Sequence, residues 1–352
     1  MNPNDPRSRT RRRSGLTALV LTCAIILSGC GVRLETPPPT EPVPDAAEVV
    51  RRTAVADALL VAETAEAAAG AEGVGGDVAD ALGRVAAATT AQAEQLGGEY
   101  DSGLDDIVAD RSASSPSATA PERTPAAVLT SLVDAATRTR AAANQAQPGP
   151  LARLLASISA AQTRDAWTLA RLTRGEAPEL PPTQIPEPAD PDAEQTGDES
   201  PATASASGAQ DAPVVPGGLS AEDLSAVVVA EDSAGYALEV RAAQASGDLR
   251  SRAQDRARLH RARAQAWALV AGVDGTDQDP RQVAYAVPGT ETSTQDLARD
   301  LEAGLAQNYA SLTGRAEPGT RAVLVALLTD VTIAGAGWGA EAVPFPGLPE
   351  QA

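Results

Sequence analysis

Apolar positions recur every three or four residues through most of the chain, and strand-type alternation is nearly absent. In the C-terminal part this spacing predicts four helices, at about 220–245, 248–271, 293–313 and 318–338. Leu224, Val227, Val228 and Leu238 share one stripe, and Leu297, Leu301, Leu305 and Leu312 share another. Ser220 with Asp223, and Ser293 with Asp296, offer the oxygen atoms that the free N–H groups of a helix start require. Pro318 suits a first helical turn, where its missing N–H costs nothing. Val283–Val287, in the longer crossover between the second and third helices, is the one short strand candidate.

The N-terminal part repeats the plan. Leu59-Leu60-Val61-Ala62-Glu63 mirrors Val227-Val228-Val229-Ala230-Glu231, and Gly76-Asp77 mirrors Gly247-Asp248. Leu96 mirrors Trp267, Leu132 mirrors Leu301, and Trp167 mirrors Trp338, all at offsets of 168 to 171 positions. A nearly constant offset in unbroken order predicts a duplicated four-helix bundle. Two breaks frame the copies. Residues 30–45 hold Pro37, Pro38, Pro39, Pro42 and Pro44 and read as a semi-extended tether. Residues 175–218 are rich in Pro and acid, with no arginine, and read as a disordered linker. The expected architecture is all-α: a bundle at 46–174, the linker at 175–218 and a second bundle at 219–349.

Composition narrows the function classes. All 28 basic residues are arginine, set against 47 Asp and Glu for a net charge of −19 in 352 residues. That balance argues against nucleic acid as a partner. One His and two Cys leave no material for a His-rich metal site or a disulfide framework. No Ser-His-Asp order and no Gly-rich phosphate loop is present, so hydrolase and nucleotide-binding readings lapse.

The first residues read as an address. Arg7, Arg9, Arg11, Arg12 and Arg13 precede an apolar run from Leu16 to Leu27, too short to span a bilayer comfortably. The run ends in Leu27-Ser28-Gly29-Cys30, a lipobox in every position. Residues 1–29 are therefore expected to be a cleaved signal peptide, and Cys30 the diacylglyceryl-modified N-terminus. Two or more acyl chains give stable anchoring. The expected location is the extracytoplasmic face of the cell membrane.

Ala230-Glu231, Tyr236, Leu259-His260-Arg261-Ala262-Arg263, Asn308-Tyr309-Ala310, Leu328-Thr329-Asp330, Trp338 and Phe345-Pro346-Gly347-Leu348-Pro349 resemble the ferritin-like domain-of-unknown-function family of actinobacterial proteins. The resemblance covers about 219–349 and implies a ferritin-like bundle for the second copy, with no assigned activity. Ferritin-like bundles carry di-metal sites built from Glu and Glu-x-x-His on facing helices. Glu231, His260 and Asp330 each fall on an apolar stripe and make a candidate metal or structural polar cluster. No Glu-x-x-His occurs, and Thr89 stands at the His260 position of the first copy. The expectation is a register-fixing polar cluster with no cofactor, and iron, manganese or zinc binding is the alternative.

Arg250, Arg252, Arg256, Arg258, Arg261 and Arg263 make the sixth helix basic; this reads as a solvated face neutralised by the chain's own acids, with Arg256 and Arg263 as the candidate docking stripe for an acidic partner, a phosphate-bearing envelope polymer or a membrane surface. Tyr236, Tyr309, Trp267 and Trp338 are expected to fill the core, a small apolar pocket between helices being the alternative, and Phe345–Pro349 to clamp back onto the bundle. The function these features favour is a non-catalytic interaction or scaffold module, with a ferritin-like metal or redox protein as the alternative.

Overall fold

The computed structural model describes residues 43–102, 123–188 and 214–351. The predicted leader, Cys30, most of the tether and residues 189–213 of the predicted linker lie outside them. Among the described residues there are eight α-helices and no strand, as the periodicity predicts. They are α1 (Ala46–Ala69), α2 (Gly76–Gln95), α3 (Pro125–Gln145), α4 (Gly149–Thr173), α5 (Ala221–Gln244), α6 (Gly247–Val270), α7 (Thr294–Arg315) and α8 (Ala322–Gly337). None is long and apolar enough to cross a membrane.

The helix starts follow the local chemistry. Asp45 accepts from the Glu48 N–H, and Thr124 accepts from the Ala127 N–H just ahead of Pro125 in the first turn of α3. Ser220 and Asp223 form the full capping box expected of α5, and Ser293 caps α7. The last helix departs from expectation. It begins at Ala322 rather than Pro318, because Gly319 turns left-handed at φ +83° and gives its N–H to the Asn144 carbonyl at 2.6 Å. Asn144 Oδ1 also accepts from the Arg321 N–H at 2.8 Å. A would-be helical turn is thus spent on joining the two copies.

Helices α1–α4 form one group and α5–α8 the other, and all eight fall within a single compact unit of the chain. The fourth helices meet in the middle. Helix α4 packs on α7 and α8 as well as on α2 and α3, and α8 also touches α3. One apolar cluster therefore runs through both groups, from Val55 and Leu155 to Leu324 and Tyr309. Helix α8 is apolar on nearly every side (Val323-Leu324-Val325-Ala326-Leu327-Leu328), a sequence that requires burial all round. At the junction the backbones touch: a Cβ on Gly149 would lie 2.1 Å from the Gly314 carbonyl oxygen.

Both connecting stretches bind opposite groups. Residues 175–188 are non-helical, as the linker reading expects, but they are not free throughout, for Ile185 is buried in the shared cluster. Residues 340–348 fold back as the clamp the sequence suggests. The crossover between α6 and α7 runs the length of its bundle. It leaves the end of α6, sets the Tyr285 hydroxyl on Asp232 midway along α5, and reaches Arg241 near the end of α5 through the Pro288 and Gly289 carbonyls. Helices α6 and α7 consequently start at the same end. Val283–Val287 lies in this stretch as extended coil without a strand partner.

The duplication is visible in burial, with a changed register. Buried Ala54, Val55, Ala58, Val61 and Ala65 match buried Val227, Val228, Glu231, Ala234 and Leu238, 173 positions on. The sequence pairing of Leu60 with Val228 fails, since Leu60 is 48 % exposed and Val228 fully buried. In the third helices Leu132 matches Glu302 rather than Leu301, whereas Thr89 with His260 and Leu96 with Trp267 hold. Ala-rich helices offer several equally good letter matches; only the direction of the core picks one.

Candidate functional site

Three helices carry the polar centre of the second bundle. Glu231 of α5, His260 of α6 and Glu302 of α7 sit on the inward stripes of their helices, at positions that otherwise hold apolar residues. Glu231 and His260 are both 0 % exposed. His260 Nδ1 stands 2.6 Å from Glu231 Oε2. On the other edge of the ring, Nε2 faces Glu302 Oε1 at 3.4 Å, inside ion-pair reach but without hydrogen-bond alignment. The Tyr309 hydroxyl donates to Glu231 Oε1, and Trp267 Nε1 donates to the Tyr309 hydroxyl at 3.4 Å.

Two arginines close the network. Arg256 grips both oxygens of Glu302 at 2.6 Å through Nε and Nη2 and donates through Nη1 to Asp330 Oδ2 at 2.8 Å. Arg263 Nη2 approaches the same Asp330 oxygen at 2.8 Å. The carboxylates of Glu231, Glu302 and Asp330 are thus set against two guanidinium groups and one imidazole, and these opposed pairings offset part of the cost of burial.

The titration of each group follows from this arrangement. Burial alone pushes the His260 pKa down, but Glu231 and Glu302 outweigh it and hold the pKa above the ordinary histidine value. Glu302 is likewise opposed by burial, yet Arg256 and His260 keep its pKa below the usual carboxylate range. Arg256 and Arg263 do the same for Asp330. Burial and the Glu231 charge drive the Tyr309 hydroxyl well above its normal value, so it remains a donor.

The sequence-predicted trio is thus brought into one network but not into one contact. Glu231 and His260 touch, while Asp330 joins only through Arg256 and Glu302. Sequence reasoning missed Glu302 and took Tyr309 for core filling or an apolar pocket wall, not for a polar member of the network. Glu302 left a signal, since it lies beside Leu301 and Leu305 on the α7 stripe. The docking stripe needs correction. The side chains of Arg256 and Arg263 are only 10 % and 4 % exposed, and both are spent on carboxylates inside the bundle. Tyr236 also differs from expectation: half-buried, it stacks edge-on against Tyr285 of the crossover at 5.8 Å.

A metal ion does not fit these residues. Each edge of the His260 ring faces a different carboxylate, so the imidazole and the two glutamates point at one another instead of converging on a point. Among the described residues no group of three or more His, Cys, Asp or Glu side chains is set to hold an ion. Cys30, the predicted lipid attachment site, lies outside the described residues.

Residues 223–350, from the first turn of α5 to the tail, match a domain family described as a domain of unknown function (DUF4439). No curated protein and no solved structure matches the chain.

Proposed function

We propose that the chain is an envelope lipoprotein, anchored through Cys30 at the extracytoplasmic face of the cell membrane, whose helical groups act as a non-catalytic interaction or scaffold module. The lipobox Leu27-Ser28-Gly29-Cys30 carries the anchor. The charge network supports the non-catalytic part: Glu231, Glu302 and Asp330 are each engaged by His260 or a buried arginine. The second bundle reads as ferritin-like in connectivity, since a single long crossover with α6 and α7 starting at one end is the pattern of that class. It keeps the scaffold without the di-metal ligand set.

Palmitate labelling in a bacterial host tests the anchor. Wild-type chain should take up label and sediment with membranes, whereas Cys30→Ala should do neither. Crosslinking mass spectrometry on intact cells tests the module, with recovery of a reproducible envelope partner as the expected result. Stoichiometric iron, manganese or zinc in the purified protein, lost on His260→Gln, would overturn the non-catalytic reading.

A further inference from the structure

The buried polar residues of the first group serve a different purpose from those of the second. Gln92 of α2 and Ser157 and Arg164 of α4 are all buried, and beyond the Gln92–Gln162 amide contact and the Arg164–Asp165 ion pair along α4 they face the chain's tail. Each donates to the backbone of that tail: Arg164 Nη1 to the Val343 carbonyl at 2.9 Å, Gln92 Nε2 to the Pro344 carbonyl at 3.1 Å, and Ser157 Oγ to the Pro346 carbonyl at 2.8 Å. Gln162 Nε2 holds the Gln92 carbonyl oxygen at 3.2 Å, which fixes the amide for that task. At the far end Arg153 takes the Glu350 carboxylate, with Nη1 at 2.5 Å. Phe345 and Leu348 sink their side chains into the apolar cluster, and Gly347, at φ +80°, passes so close to the Ala306 carbonyl that a Cβ would meet it at 2.5 Å.

This is how a peptide-recognition surface is built: donors to carbonyls give register, apolar anchors give affinity, and a charge at one end gives polarity. Pro344, Pro346 and Pro349 fix their own φ angles and so reduce the entropy lost on docking, and the seated segment turns where the Leu348 N–H donates to the Phe345 carbonyl at 3.1 Å, ahead of a short 3-10 turn at Pro349–Gln351. The tail also leaves room. A cavity of about 300 Å³ remains between it, α7 and α8, bounded by Arg164, Ala303, Gly335 and Val343. The other group does something similar with Thr183–Pro188, which lies against Leu259, Ala262 and Ala266 of α6 and buries Ile185.

We propose that the crease between α2, α4 and α7 is a docking groove for a proline-punctuated, turn-forming peptide of a partner protein. Such a peptide carries a large apolar anchor and an acidic residue five positions later, and the chain's own tail is the resident occupant that a partner displaces. This deepens the interaction-module reading and rests on it. The test is run on purified soluble chain, so it reads the groove apart from the anchor and the envelope partner.

A chain ending at Ala340 is titrated into a fluorescently labelled peptide of residues 341–352. Saturable binding is expected for the truncated chain, with little for the intact one, whose groove is filled. Arg153→Glu should weaken the binding about tenfold by turning attraction for Glu350 into repulsion. Absence of binding to a truncated chain that keeps its helical circular dichroism, or equal binding of a scrambled peptide, would overturn the proposal. Should truncation unfold the chain, full-length Phe345→Ala decides: the labelled peptide should displace the weakened tail, and no exchange at hundredfold excess would count against the groove. Tail exchange between intact copies, read as a dimer by light scattering, would assign the groove to a second copy and overturn the partner assignment.

Discussion

The two helix groups share a plan and differ in what their polar residues do. In the second group Glu231, His260 and Glu302 stand where the first has Ala58, Thr89 and Leu132, and burial matches position for position. Thr89 satisfies its hydroxyl locally, on the Val85 carbonyl at 2.9 Å, and asks nothing of a neighbouring helix. His260 ties α5 to α7. The first group joins its helices by apolar packing and by neutral buried contacts, Gln162 to Gln92 and Ser159 to the Ala136 carbonyl, whereas the second adds a buried charge network that is costly to leave incomplete. The polar positions of the first group are freed for a different task, gripping a segment that belongs to the second. Duplication of a bundle need not preserve the chemistry of its core; it preserves which positions point inward.

The comparison is broken most severely by exchanging matched residues. Glu302→Leu leaves Arg256 buried with a single acid, and Leu132→Glu buries a carboxylate with no cation. Each should cost about 3–5 kcal/mol, read by chemical denaturation. If Leu132→Glu is mild, the first core is wetter than its packing implies. Gly149→Ala, which drives a methyl into the Gly314 carbonyl, should cost about 1–3 kcal/mol and loosen the two groups from each other. Differential hydrogen exchange at α4 and α8 would locate that effect. Ser157→Ala removes one buried hydrogen bond to the tail and should cost about 1 kcal/mol, raising exchange at 343–347 while leaving α5 unchanged.

The smallest effect separates the groups by pH. Because the folded His260 pKa lies above its unfolded value, its stabilisation is complete below about pH 6.5 and is lost as pH rises through the folded pKa. Glu302 and Asp330 have lowered pKa values, so their share is present at neutral pH and is lost as pH falls through those folded values. Melting curves of wild type and His260→Gln should converge at alkaline pH. A gap that stays constant from pH 6 to 10 would mean that His260 acts through shape rather than charge.

Much of this fold was legible in advance. Helical spacing, the capping residues Ser220 and Ser293 and the Gly76/Gly247 pair marked element type and order, because these depend on neighbours three or four residues apart. The inward placement of Glu231 and His260 could be read from their stripes for the same reason. The partners could not. Arg256 and Arg263 looked like a solvated basic face, since a helix rich in arginine gives no sign of which acids lie opposite. Glu302 passed unnoticed between leucines that explained the stripe without it.

The chain's own letters determined that it would be helical, in two sets of four, since helical spacing follows from local geometry; the expectation of lipid at Cys30 rests on a contiguous motif outside the described residues. Only the folded arrangement decided the repeat register, the closure of the charge network and the seating of each trailing segment. These depend on residues from 29 to 252 positions apart meeting in space, and alanine-rich surfaces leave that choice to the packing of the whole.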